Sequence, residues 1–238
     1  MEVGYKTDIG LNRAKNEDSF CIDVDLSLFI IADGMGGYNG GEIASSLAVK
    51  TVYNYLKEKS MFNYNNIRFY ISNAIYKAHN IIKNHAKTDD RLKKMGTTLV
   101  LALYFSNKFY IANVGDSRAY VIKKEDIIQI SEDQVLGKDL LKKGIISKKD
   151  FNDKFKHVIT YALGKSNIEI NYNEIKLDIG DYILLCTDGL TNMLMDEEIF
   201  RIIHRTKGNT QAKCDKLIKN AIEKGGSDNI TLILVHNN

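Results

Sequence analysis

Proline and tryptophan are absent from the 238 residues, and cysteine occurs three times, at Cys21, Cys186 and Cys214. Three scattered thiols with no Cys-x-x-Cys spacing argue against a disulfide framework and against a zinc site. Cys186, inside Tyr182-Ile-Leu-Leu-Cys186, reads as a small core residue rather than a nucleophile. The longest apolar runs, such as Thr97 to Phe105, are far too short to span a bilayer, so no membrane insertion is expected. The first ten residues have neither the basic start nor the apolar stretch of a signal peptide, and the cytoplasm is the expected compartment. Neither sign of charge dominates: the net charge of +3 gives no overall basic field, and nucleic acid is not expected as a partner. No Pro/Gly/Ser-rich linker and no internal repeat divides the chain. With 44% hydrophobic residues it can bury a substantial core, and one domain over residues 1–238 is expected.

Short runs rich in Ile, Val, Leu, Tyr and Phe read as strands at Leu28 to Ala32, Thr97 to Tyr104, Lys108 to Val114, Arg118 to Ile122, Asp181 to Cys186 and Ile230 to Val235. Tyr104-Phe-Ser-Asn-Lys108 reads as the turn of an antiparallel hairpin. Helical periodicity places Ala44, Leu47, Ala48, Thr51, Val52 and Tyr55 on one face. It does the same for Ile67, Ile71, Ala74, Ala78, Ile81 and Ile82. Further helices are expected near Glu197 to Arg205 and Gln211 to Glu223. Strands, a helix pair, more strands and then helices indicate an α+β fold with helices layered on sheet, not a βαβ alternation.

The chemistry lies in acids that adjoin strands. Asp33 directly follows the apolar Ile30-Ile-Ala32, and glycines stand at 34, 36, 37, 40 and 41. Asp188-Gly189 follows Leu184-Leu-Cys-Thr187, Asp116 follows Val114-Gly115, Asp228 precedes the last strand, and Glu17-Asp18 precedes another. One Asp-Gly pair is usually a plain turn. Several carboxylates meeting at one sheet edge repel unless cations sit between them. Oxygen donors without histidine suit Mg²⁺ or Mn²⁺ and not zinc.

Read in order, Arg13-x-x-Asn16-Glu17-Asp18, Ala32-Asp33-Gly34-Met35-Gly36-Gly37, Gly96-Thr97-Thr98, Val114-Gly115-Asp116-Ser117-Arg118, Thr187-Asp188-Gly189 and Ser227-Asp228-Asn229 resemble the bacterial metal-dependent Ser/Thr protein phosphatases of type 2C. The resemblance runs from about Gly10 to Val235. It implies a four-layer α-β-β-α sandwich, two antiparallel sheets flanked by helices, with a flap at about 134–160. It implies that Asp33 bridges two tightly bound Mn²⁺ or Mg²⁺ ions and that the Gly34 carbonyl binds one of them. Asp188 and Asp228 would complete one shell, and Glu17 and Asp18 would act on the other, partly through water. Asp116 would share a weaker third site with Asp188, and Asn229 would lie in the outer shell. Two metals about 3.5–4 Å apart share a water and lower its pKa, which supplies a hydroxide for in-line attack on phosphorus. Arg13 would bind the phosphoryl oxygens through its planar fork. The implied activity is hydrolysis of phosphoserine and phosphothreonine in proteins, with a cognate Ser/Thr kinase and its substrates as partners.

The sequence departs from the family pattern at three places. Tyr38 stands where many members carry a histidine proposed as the general acid, so Tyr38 is a possible substrate contact instead. Gln134 replaces the histidine of an Asp-His-Ser run, and Lys154-Phe155 occupies the place of a His-Pro pair. The metal set is intact, which implies a working hydrolase with altered proton delivery, for which His157 is a further candidate. Residues 137–156 are lysine-rich, which suits either a solvated helical face or an attraction for acidic phosphopeptides. Two other readings stay open: a phosphatase of small metabolites, and a non-catalytic regulator that binds a phosphoprotein or kinase.

Overall fold

In the computed structural model, residues 1–37, 40–59, 66–147, 149, 155 and 158–238 are described. Two sheets form, and every strand pairing in them is antiparallel. The first has the order β1 (Glu2–Asp8), β11 (Ile230–His236), β10 (Tyr182–Cys186), β7 (Arg118–Ile122) and β8 (Ile127–Gln129). The second has the order β2 (Asp18–Asp23), β3 (Leu28–Met35), β5 (Leu99–Phe105), β6 (Lys108–Val114) and β9 (Asn171–Ile175), with the short β4 (Gly96–Thr97) also on β3.

The pleat sorts each strand into two faces. Leu28, Ile30 and Ala32 of β3 pack under α1 (Gly40–Glu58) and α2 (Ile67–His85), together with Leu99, Leu101 and Leu103 of β5. The alternate residues Phe29 and Ile31 meet Val100, Ala102, Phe109 and Ile111 and face Ala119, Val121, Ile183, Leu185, Ile233 and Val235 of the other sheet. The outer face of that sheet carries Leu184, Cys186, Leu232 and Leu234, covered by α5 (Asp196–Arg205) and α6 (Thr210–Glu223). The layers therefore run helix, sheet, sheet, helix, as the resemblance implied. Cys186 is fully buried core, as read from its run.

The β5–β6 hairpin turns at Ser106 and Asn107, with φ of 49° and 64°. Two positive φ values are what a two-residue turn needs to match strand twist. The helix faces differ in detail from the periodicity. In α1 the buried stripe is Ala44, Ser45, Ala48, Val49, Val52 and Leu56, whereas Leu47, Thr51 and Tyr55 are half-buried. Ser45 turns inward because its hydroxyl donates to the Glu17 carbonyl at 2.6 Å. In α2, Ile81 is exposed, and Ile75 and His79 are buried instead. His79 Nδ1 accepts from the Gly164 amide at 3.3 Å.

Candidate active site

Extending the inter-sheet faces by one alternation shows how the site is made. After Phe29 and Ile31 the next inward position on β3 is Asp33. Asp18 leads Phe20 and Ile22 on β2, and it is the register partner of Asp33. Thr98 precedes Val100, Ser117 precedes Ala119, Thr187 follows Leu185, and Thr231 precedes Ile233. The apolar middle layer thus ends in a polar rim drawn from both sheets. Hydrogen bonds knit it together. The Asp33 amide donates to Thr98 Oγ1 (3.0 Å), which is hydrogen-bonded in turn to Ser117 Oγ (2.7 Å). Thr187 Oγ1 donates to Asp18 Oδ2 (3.1 Å) across the sheets and accepts from the Thr231 amide (3.0 Å).

Above this rim opens a cleft of about 540 Å³, lined by Arg13, Glu17, Asp33, Gly34, Met35, Gly36, Gly37, Asp116, Ile159, Asp188, Asp228 and Asn229. Nine of the ten expected site residues are in or behind it. Asp18 lies behind Asp33 and lines a smaller hollow with Thr7, Asn16, Ser19 and Lys50. The tenth, Tyr38, lies outside the described residues, as do His157, Lys154 and the Lys148 and Lys156 of the basic segment. Asp188 does not end its strand; it opens the one-turn helix α4 (Asp188–Thr191), and Asn192 Nδ2 donates to its Oδ2 at 3.0 Å.

Two close approaches need glycine. A Cβ on Gly34 would lie 2.2 Å from Gly41 O and 2.5 Å from Glu17 O, so only a bare backbone lets the start of α1 and the Glu17 strand meet there. A Cβ on Gly189 would lie 2.0 Å from Asn229 O. Asn229 itself is a clamp: its Oδ1 accepts from the Glu17 amide (2.8 Å) and its Nδ2 donates to Ile9 O and Lys15 O (both 2.9 Å). This holds the loop carrying Arg13 and Glu17 against the entry to β11.

The electrostatics are those of crowded carboxylates. Burial, and then the charges of Asp188 and Asp228, push Asp18 up to about 7. Burial followed by the charges of Asp18, Asp188, Asp116 and Asp228 holds Asp33 well above the usual carboxylate range. Asp116 rises to about 7 through burial and then Asp188. Glu17 is raised by burial and partly lowered by Arg13. The cation in the cleft lining is Arg13, whose Nη2 lies 2.6 Å from Asp228 Oδ2. Asp18 Oδ1 is buried without a hydrogen-bond partner among the described residues. Such an atom is costly unless an ion or water meets it. Among the described residues no three His, Cys, Asp or Glu side chains close directly on one point, and Arg13, Asn192 and Thr187 each hold a carboxylate oxygen. An all-oxygen cleft with several raised carboxylates fits hard cations that retain much of their water.

Beside the cleft, Gln134 occupies the place of the family histidine and is fully engaged. Its Oε1 accepts from the Gly115 amide (2.8 Å) and its Nε2 donates to Glu169 O (2.9 Å). The segment that follows is pinned at both ends, by a bridge from Val135 to Ile159 and by the Thr160 amide on Gln134 O (2.8 Å). Helix α3 (Leu136–Lys142) starts it. Arg118 makes a two-pronged pair with Asp133 (2.9 and 2.8 Å), and Lys138 joins at 3.1 Å. Sequence reasoning missed Thr98, Ser117, Thr187, Asn192 and this Arg118–Asp133 pair. The Thr and Ser residues sit inside the quoted motifs, so their inward phase was a usable signal.

The family model of Protein phosphatase 2C matches residues 12–221. The chain is similar to a serine/threonine phosphatase, stp, of Listeria innocua: 35% identical over 244 residues, covering 100% of this chain and 96% of the relative. Among solved structures it is similar to the Streptococcus agalactiae serine/threonine phosphatase, with a TM-score of 0.93, 31% identity and coverage of 100% and 99%. It is also similar to the catalytic domain of the phosphatase PstP in complex with two manganese ions, with a TM-score of 0.84, 28% identity and coverage of 98% and 96%. Motif order, layer architecture and matches over nearly the whole length agree: the chain belongs to the protein phosphatase 2C family.

Proposed function

We propose that this chain is a metal-dependent protein phosphatase that hydrolyses phosphoserine and phosphothreonine monoesters. One observation carries the reading: carboxylates from both sheets meet beside a single arginine in one cleft, at a charge density that the protein alone does not neutralise. Asp33, the Gly34 carbonyl, Asp188 and Asp228 would hold Mn²⁺ or Mg²⁺, with Glu17 and Asp18 acting partly through water and Asp116 serving a weaker third site. When bound, the ions supply Lewis acidity, which neutralises phosphoryl oxygens and makes water a nucleophile at neutral pH.

The chain's own residues do the rest. Arg13, on the loop that Asn229 clamps, presents its guanidinium fork to two phosphoryl oxygens and orients phosphorus for in-line attack. Asp228 fixes that guanidinium through the 2.6 Å contact. Ile159 lines one wall of the cleft beside a single catalytic domain, and the expected flap at about 134–160 includes residues 148, 150–154, 156 and 157, which lie outside the described residues. The partners are phosphorylated proteins in the cytoplasm, including the substrates of a cognate Ser/Thr kinase. Among the described residues no helix is long and apolar enough to cross a membrane.

The test is phosphate release from a phosphothreonine peptide and from a sugar phosphate, in EDTA and with Mn²⁺ restored. Peptide turnover that requires Mn²⁺ is expected. Undiminished turnover in chelator, or none in Mn²⁺, overturns the reading, and preference for the sugar phosphate overturns the protein substrate.

A further inference from the structure

We propose that the groove between α5 and α6, on the face of the molecule covered by these two helices, docks an acidic segment of a protein partner. Calling that partner the substrate rests on the phosphatase reading; the binding itself does not. The groove has a volume of about 470 Å³. Its floor is aliphatic, from Leu194 and Ile202, and its rim carries Arg201, Arg205 and Lys216.

Arg201 and Arg205 stand four apart on α5, so they share one face and repel each other. The one acid in the lining, Glu198, is already taken by Lys224, with both Oε atoms at 2.6 Å. Among the described residues no carboxylate lies within ion-pair distance of Arg201, Arg205 or Lys216. Arg201 is braced rather than neutralised: its Nε donates to Glu197 O at 3.0 Å. Three cations are thus gathered around an apolar strip whose one lining carboxylate, Glu198, feels the charge of Arg201 but is held by Lys224, so positive charge is in excess there. The complementary occupant is a chain with an aliphatic residue flanked by Asp or Glu.

The groove is preformed. Buried Lys213 of α6 donates to Ile203 O (2.5 Å) and Thr206 O (2.8 Å), which locks α6 onto the last turn of α5. Beneath it Ile199, Ile203, Leu217 and Ile218 are core. Its length suits a peptide: the ten residues of α5 span about 15 Å, which is four or five extended residues. No aromatic ring lines it, so nothing there stacks a nucleotide base. Its place suits the catalytic cleft too. Leu194 follows Asp188 by six residues, so the two are at most about 22 Å apart. A partner with an acidic segment a few residues from its phosphorylated side chain spans that distance.

The test uses the full chain and a fluorescein-labelled peptide with one leucine among glutamates and aspartates. Anisotropy is read in EDTA, so that binding is independent of turnover. Binding is expected at low salt. It should weaken at least about tenfold in Arg201→Glu/Arg205→Glu and in Lys216→Glu, with unchanged melting temperatures, and the Gln/Asn version of the peptide should not bind. With Mn²⁺, the charge-reversal variants should keep wild-type turnover of an aryl phosphate. They should show a raised KM, with unchanged kcat, for a phosphothreonine peptide carrying the acidic segment. Equal peptide affinity in wild type and variants, equal binding of the neutral peptide, or displacement by millimolar inorganic phosphate would overturn the proposal. Arg-dependent peptide binding by a chain that turns nothing over would leave the groove standing and remove the phosphatase reading.

Discussion

Asp18 and Asp33 face each other as register partners across β2 and β3. Opposed residues of an antiparallel pair have Cβ atoms about 4.5–5.5 Å apart, and like charges there destabilise the pair. The sheet therefore holds two carboxylates together in a place where it would be more stable with one. Asp33→Asn should raise the melting temperature of the metal-free protein by a few degrees, since about 1 kcal/mol is worth roughly 2–4 °C at this size. The same variant should lose Mn²⁺-dependent turnover. A scan in EDTA beside a phosphate-release assay checks both, and a lower metal-free melting temperature would show that repulsion does not dominate there.

The raised acids set the pH dependence of the metal-free fold. Asp18 and Asp116 titrate near 7 in the folded chain and in the ordinary carboxylate range when unfolded. Between those limits the native state binds more protons than the unfolded state, so stability falls as pH rises. Melting temperatures in EDTA should climb as pH is lowered from about 8 to about 5. Saturating Mn²⁺ should flatten the slope, because cations replace the protons. A metal-free profile that is flat or rises with pH would contradict the shifts.

Gly189 directly follows Asp188 and Gly37 closes the Asp33-Gly34-Met35-Gly36-Gly37 run, and the two glycines differ in their surroundings. A methyl group at 189 collides with the Asn229 carbonyl, whereas among the described residues nothing stands within 4 Å of a Cβ on Gly37. Gly189→Ala should cost about 1–3 kcal/mol and reduce turnover by shifting the Asn229 clamp. Gly37→Ala should leave the melting temperature nearly unchanged. Thermal scans of the two variants decide this.

Buried Asp133 is the only carboxylate that accepts from half-buried Arg118 among the described residues, and the arginine pulls its pKa below the usual carboxylate range against the effect of burial. Asp133→Leu leaves that half-buried guanidinium with the Tyr120 hydroxyl (2.8 Å) but no carboxylate and should cost about 1–3 kcal/mol. Arg118→Met/Asp133→Leu should recover most of the loss. A double-mutant cycle in urea measures the coupling, and additive losses would show that the two residues act independently.

The central strands were legible because their residues are apolar on both faces. Lys108–Val114 and Arg118–Ile122 agree with the sequence reading to the residue. The edge strands were not: Glu2–Asp8 and Asn171–Ile175 alternate polar residues and gain their structure from pairing with β11 and β6. Asp33, Asp188 and Asp228 were legible as acids beside apolar runs. That Asp18 opposes Asp33, or that Thr187 reaches it from the other sheet, depends on register and sheet stacking, which no local pattern encodes. The buried stripe of α1 was misplaced for a related reason: Ser45 is drawn inward by a carbonyl 28 residues away.

The polar rim rests on two stacked sheets, not one. Asp18 and Asp33 ride on one layer, while Thr187, Asp188 and Asp228 ride on the other, and the contact between layers is the strip of Phe29, Ile31, Val100, Ile183, Leu185 and Ile233. That strip is the bearing on which the two halves of the cleft are aligned. A methylene lost or gained deep within it is felt at the far end as a change in spacing between oxygen donors. Selection for chemistry at the rim thus reaches far into the oil of the molecule, and the middle layer is held to a tighter tolerance than stability alone would demand.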